Sequence, residues 1–317
     1  TAVEVALKMA WQHCQREAPE RQQVIAFDGA YHGDTFGAMA LGERGLFSAP
    51  FEPLLFDVAR APWPATWWGD EAIEQKETQA LQRLDELLRT PTAAVIFEPL
   101  LQGAGGMAMV RETFLQAVVQ RVRAAGALVI ADEVLTGFGR SGSLFACHRA
   151  GIHPDIVSLS KGLTAGFLPM GVTLASERLY QSFVGPEPDR TFFHGHSFTA
   201  NPLGCAAAVA SLDLLEREPQ RYLSIEERHR PHLERLTAHR LVTKPRLLGG
   251  IAAFELPGDS GYLQPIGLEV QRLALEQGLF IRPLGSVVYL MPPLGINNDE
   301  LAQCYASLEA VLDALPL

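Results

Sequence analysis

A chain of 317 residues, 48% hydrophobic and 20% charged, suits one large or two medium domains, each with its own core. A formal charge of −10 and the lack of a basic run argue against a nucleic-acid surface. Cys14, Cys147, Cys205 and Cys304 form no CxxC pair, which fits reduced thiols of a cytoplasmic protein rather than a disulfide framework or a zinc site. No apolar run reaches membrane-spanning length, and the opening residues lack the basic-then-apolar order of a secretory leader.

The opening stretch TAVEVALKMAWQHC puts Val3, Ala6, Leu7 and Ala10 on one face of a helix already under way. Residues 22–27 read as a strand, and 28–39 (DGAYHGDTFGAM) as its hand-over to a helix. Tyr31 there either stacks on a planar ligand or packs the loop; Asp34 orients substrate or the loop. Residues 41–71 carry Pro50, Pro53, Pro62 and Pro64 with Trp63, Trp67 and Trp68, the mark of a long surface excursion. Its tryptophans either line a tunnel or pin the loop to the body. A helix is expected over 78–90 and a buried strand over 93–98, ending in Glu98, whose carboxyl serves the site or the structure. Gln102 to Met107 form a Gly-rich turn without phosphate-loop spacing, and 111–126 an amphipathic helix.

Residues 127–132 (ALVIAD) form a buried strand ending in Asp132, and a second strand runs from Asp155 to Lys161. Between them, Glu133 reads as a structural acceptor or a second acid, and Arg140 as an exposed fork bracing a subunit contact. Ligands of open α/β sheets bind off the carboxyl ends of the strands. An acid and an amine delivered there suit pyridoxal phosphate (PLP): the lysine as Schiff-base partner, the aspartate on the pyridinium nitrogen. The competing reading of Lys161 is a solvated surface charge. In the first reading desolvation is expected to favour the nucleophilic amine.

Residues 167–175 read as a strand, and Gly195-His196-Ser197 precede a helix that starts near Asn201. The Ser197 hydroxyl and nearby amides suit a phosphate oxygen. His148, His153, His194 and His196 lack partners at metal-ligand spacing. A large domain over 1–217 is expected to pass into a smaller α+β domain over 218–317. The latter has helices near 221–239, 265–277 and 298–313, strands near 248–256, 279–283 and 287–291, and Asn298 as the last N-cap.

The strings IADEVLTGFGRSG and PDIVSLSKGLTAG, with YHGDTFGAM and QGAGGM upstream, resemble the class III (subgroup II) PLP-dependent aminotransferases across nearly the whole chain. The resemblance implies an α/β protein of PLP-dependent transferase fold type I, with a mainly parallel sheet in the large domain. It implies a homodimer with shared active sites. It implies Lys161 and Asp132 as the catalytic pair, with Tyr31, His32, Val134, Glu98, Gly195, His196 and Ser197 about the cofactor. Tyr31, Asp34, Gly195, Arg282 and Tyr289 would meet substrate. A phosphate-binding turn is expected ahead of Thr1, in an N-terminal segment that this sequence lacks.

Glutamate-using members of the family carry a Glu where Ala104 stands and an Arg about where Tyr289 stands. Without that switching pair, Arg282 remains as a fixed clamp for a carboxylate. The strings IRP and VYLMPP look like the branch that aminates 8-amino-7-oxononanoate in biotin biosynthesis. His196-Ser197, where that branch more often has Pro-Thr, leaves the amino donor open between S-adenosylmethionine and lysine. Another ω-amino acid or diamine transaminase, an aminomutase and an inactive truncated remnant are the rival expectations.

Overall fold

The structure is a computed structural model describing residues 1–258 and 264–315. Helix α1 (Ala2–Glu17) buries Val3, Ala6, Leu7, Ala10 and Cys14 and leads into strand β1 (Gln23–Phe27). After helix α2 (Phe36–Leu41), the excursion holds a 3-10 turn at Ala49–Leu54 and a short strand β2 (Ala59–Ala61). Its tryptophans pin it down. Trp63 packs edge-on against Phe27 and Phe114 and donates to the Ala108 carbonyl at 3.1 Å. The Lys76 ammonium lies 4.2 Å from the Trp67 ring centroid.

Helix α3 (Ile73–Leu87) begins before the 78–90 expected, because Glu77 extends the face that buries Ala80 and Leu84. Strand β3 (Thr92–Phe97) follows, then a hairpin of β4 (Leu101–Gln102) and β5 (Ala108–Met109) that holds the Gly-rich turn. Next come α4 (Glu112–Ala124), β6 (Leu128–Asp132), α5 (Ala146–Ala150), β7 (Ile156–Leu159), β8 (Val172–Ala175), α6 (Glu177–Gln181) and α7 (Pro202–Arg217). Strand β8 is shorter than the 167–175 expected.

One six-stranded sheet has the order β2-β1-β3-β6-β7-β8, parallel except for the antiparallel pair β7–β8. Side chains alternate across it, as strand geometry requires. Ile25, Phe27, Val95, Phe97 and Val129 pack with Leu84, Phe114 and Val118 of α3 and α4. Val24, Ala26, Ile96, Leu128 and Ile130 pack with Val3, Ala6 and Ala10 of α1 on the other face. Helices on both faces explain why β3 is apolar and buried along its whole length.

Beyond α7 lie α8 (Gln220–Leu223), α9 (Ile225–Leu236), β9 (Thr243–Leu248), β10 (Ile251–Glu255), α10 (Pro265–Glu276), β11 (Val287–Leu290) and α11 (Asn298–Ala314). The strands form a three-stranded antiparallel sheet, β11-β10-β9. Leu233, Phe254, Val270, Val288, Tyr305 and Leu308 gather into its core. The single strand expected over 248–256 is instead split by a turn at Gly249. There φ is +52°, and a Cβ would fall 2.2 Å from the Gly142 nitrogen. Residues 279–283 form no strand; Pro283 offers no N–H to a ladder. The last N-cap is Asn297, not Asn298: its side chain accepts the Glu300 N–H at 2.8 Å, and Glu300 accepts the Asn297 N–H in return at 3.0 Å.

Arg140 is likewise not the exposed fork expected. It is half-buried, donates to the Pro292 carbonyl at 2.7 Å, and accepts the Gly250 N–H on its own carbonyl at 3.0 Å. Burial pulls its pKa down to about 10. It fastens the loop after β6 to the segment after β11. No helix among the described residues is long and apolar enough to cross a membrane.

Candidate active site

A cavity of about 1470 Å³ opens where β1, β3, β6 and β7 end, against residues from the three-stranded sheet. Asp132 closes β6 and pairs in register with Ser158 of β7. Neighbouring strands lie roughly 4.8 Å apart, so the end of β7 brings Ser160 and Lys161 to the rim beside Asp132. Both residues line the cavity.

Asp132 is buried, and each of its oxygens has a donor. His32 Nδ1 lies 2.7 Å from Oδ2, and the Val134 N–H donates to Oδ1 at 3.1 Å. A carboxylate only accepts, so the hydrogen belongs on His32 Nδ1. His32 Nε2 is buried without a hydrogen-bond partner among the described residues. Glu98, just past β3, accepts the Tyr31 N–H at 3.1 Å and the Gly103 N–H at 3.0 Å. Burial pushes its carboxyl up to about 7; the Asp132 charge reinforces this and His32 opposes it.

Tyr31, His32, Val134, Glu98, Arg282 and Tyr289 all line the cavity, as do Gly103 and Ala104 of the Gly-rich turn. The Tyr31 hydroxyl donates to Asp34 at 2.9 Å, while Asp34 itself lies outside the lining. Of the 195–197 loop only His196 reaches the lining; Gly195 and Ser197 do not. Lys8 of α1 secures this loop from behind, donating to the Phe193 carbonyl at 3.0 Å. Glu133 is a structural acceptor: the Thr136 hydroxyl and the Ala146 and Cys147 N–H groups converge on it at 2.6, 3.0 and 2.7 Å.

Lys161 departs from expectation in two ways. It is exposed in this chain rather than desolvated, and its backbone is left-handed, with φ +40°. Sequence reasoning also missed part of the wall: Thr1, Ala2, Val3 and Val5 of α1, Met170 before β8, and Thr199, Asn201 and Cys205 around the start of α7.

The residues present fit PLP. A buried carboxylate with both oxygens fixed suits a pyridinium N–H, and a lysine stands at the rim beside it. Tyr31 offers a ring, and the start of α1 offers amides suited to a phosphate.

The fold is that of a known family. Residues 1–312 match the class-III aminotransferase model, and the chain belongs to that family. Among its relatives is the adenosylmethionine-8-amino-7-oxononanoate aminotransferase of Synechococcus elongatus. It is 56% identical over 99% of this chain and 75% of its own length. The protein of the same name from Geobacter sulfurreducens is 42% identical over 95% of this chain and 70% of its own. Two solved structures superpose closely. The Methanocaldococcus jannaschii protein of that name has a TM-score of 0.88 at 32% identity, covering 100% of this chain and 74% of the other. An amine transaminase from an uncultivated Pseudomonas species, solved in its PLP-bound form, has a TM-score of 0.90 at 30% identity, covering 98% and 74%. The architecture is PLP-dependent transferase fold type I, and the activity is that of a PLP-dependent aminotransferase.

Proposed function

We propose that this aminotransferase converts 8-amino-7-oxononanoate to 7,8-diaminononanoate, a step of biotin biosynthesis, by two half-reactions at the cavity described above. The observation that carries the reading is the cavity lining. Arg282, Ala104 and Tyr289 all belong to it, so neither position 104 nor position 289 offers a switching pair beside the clamp. A permanent guanidinium suits a keto acid whose carboxylate lies far from the reacting carbon. The names of the Synechococcus and Geobacter relatives point the same way. They also favour S-adenosylmethionine over lysine as donor.

PLP, when bound, supplies an electron sink for charge that develops at the amine-bearing carbon. The remaining work falls to residues of this chain. In this reading Lys161 would hold the cofactor through its amine and, as general base, would move the proton at the amine-bearing carbon of the substrate. Asp132, held by His32 and Val134, keeps the pyridine nitrogen protonated. Tyr31 and Val134 would hold the ring, and the first amides of α1 would suit the phosphate.

The same reading makes residues 1–217 the cofactor-binding domain and 218–317 the smaller one, in a cytoplasmic homodimer. Phe193, Phe198 and Leu203, close in sequence to the 195–197 loop, are exposed, as is Phe167. Apolar surface of that kind suits a second copy, toward whose cofactor Gly195, His196 and Ser197 would reach.

The test mixes the full-length protein and PLP with 8-amino-7-oxononanoate and S-adenosylmethionine, lysine or glutamate, and measures the diamine. Formation with S-adenosylmethionine or lysine is expected. Lys161→Ala should lower the rate by at least about 10²–10⁴-fold, the range of general acid–base catalysis. If 8-amino-7-oxononanoate stayed unchanged while a parallel mixture of glutamate and pyruvate turned over, the chain would move to another branch. An active Lys161→Ala variant would remove the site assignment altogether.

A further inference from the structure

We infer that Glu98 is a positioning residue that braces two walls of the cavity against each other, and that it does so only while both of its carboxylate oxygens are free to accept. This rests on the reading of the cavity as the transaminase site. Glu98 is 5% exposed and lines the cavity. Its Oε1 holds the Tyr31 N–H, in the loop after β1, and its Oε2 holds the Gly103 N–H, in the turn after β4. Among the described residues the Gly103 N–H has no other acceptor. One side chain therefore fixes both the segment that carries the Tyr31 ring and the turn that carries Ala104.

The surroundings allow little slack. A Cβ at Gly103 would fall 2.2 Å from Leu135 Cδ2, and one at Gly105 would fall 2.5 Å from the Gly29 carbonyl oxygen. The far end of the turn is held independently. Buried Arg246 donates to the Gly106 and Met107 carbonyls at 2.7 and 2.8 Å, and Gln102 donates to the Asp28 carbonyl at 3.0 Å. At the near end Gln102 and Glu98 together tie the turn to the loop after β1, and Glu98 is the part that meets Gly103 and Tyr31.

A proton on either oxygen would meet an N–H already aimed at that oxygen, so one brace must loosen. The charged and titratable groups facing Glu98 are His32 from the loop after β1 and Asp132 at the end of β6; Lys161 lines the same cavity. Burial and Asp132 push the Glu98 carboxyl up to about 7 against the pull of His32, which places the loosening within the working range of pH. Glutamine is not a neutral replacement here. It has one acceptor oxygen, and its NH2 would confront a backbone N–H.

The experiment compares wild type and Glu98→Gln as full-length holoenzymes. The variant should fold, lose about tenfold in kcat/KM, as expected for one broken hydrogen bond to a charged group, and lack the acidic limb near pH 7 expected of wild type. Its melting temperature gives a second readout. A carboxyl whose pKa is raised on folding costs stability as pH climbs from its unfolded value toward 7. The difference, variant minus wild type, should therefore grow between about pH 4.5 and 7. Hydrogen exchange at the Tyr31 and Gly103 amides of wild type, corrected for intrinsic rates, needs no variant. Protection should drop between pH 8 and pH 6. Unchanged protection, or a Glu98→Gln enzyme with the wild-type acidic limb and a flat melting difference, would overturn the brace. An inactive Lys161→Ala alongside those results would leave the active-site assignment standing.

Discussion

His229 sets a cost that no motif announces. It is fully buried in the core around the three-stranded sheet, with Nδ1 2.8 Å from the Tyr305 hydroxyl and Nε2 lacking a partner among the described residues. Burial pulls its pKa down to about 4 from 6.5. In this window the unfolded chain binds the proton and the folded one does not. Stability present above pH 6.5 is therefore lost as pH falls toward 4, by up to about 3 kcal/mol. Glu98 acts in the opposite sense over much of the same range, so the whole-protein pH curve understates both. Melting curves of wild type and His229→Gln separate them: the wild-type advantage should shrink steadily from pH 6.5 to pH 4. Residues like these define how far the sequence could be read. Asp132, Lys161, Tyr31 and Arg282 were legible because each sits in a distinctive string, and all four reach one cavity. Arg140 was misread because its partner, the Pro292 carbonyl, is 152 positions away. Nothing local marks a loop arginine as buried.

Among the elements, α11 shows how a start signal can be right in kind and displaced by one position. Asn297 and Asn298 are adjacent, and only the spacing to Glu300 distinguishes them. The capping box needs three residues from cap to acid, which selects Asn297. Asn297→Ala should cost about 1 kcal/mol, the usual loss for an N-cap, whereas Asn298→Ala should cost less. Chemical denaturation of the two variants would measure the difference. Strand β2 was not foreseen because Ala-Arg-Ala has no β-branched or aromatic residue; it exists because β1 offers it an edge. The 248–256 stretch reads as one strand by apolarity, yet Gly249 folds it back against Ser141 and Gly142. A contact that close is invisible until the loop after β6 is in place.

At the scale of the molecule, the parallel order and the position of the cavity follow from alternating apolar strands and helices. Seven consecutive residues from 92 to 98 are buried, and a parallel sheet covered on both faces requires such a run. The antiparallel last strand and the wall contributed by α1 and α7 depend on how separate elements meet. Arg149 shows the same dependence. It reaches Glu112 at the start of α4 and, in α9, Glu226, which in turn accepts the Gly249 N–H at 2.7 Å. The Arg282 side of the cavity is thus held to the Asp132 side by contacts between segments far apart in the chain.

The left-handed backbone at Lys161 has a further outcome. Side chains with a Cβ resist that conformation by roughly 1–2 kcal/mol, while asparagine tolerates it. An alanine substitution would keep the strain and discard the amine. Lys161→Asn should therefore be the sturdier dead enzyme, more stable than Lys161→Ala by about 1 kcal/mol, and thermal melts of the two would rank them. A lineage released from catalysis could gain robustness by giving up this one lysine, so loss of the reaction would be the downhill direction for drift.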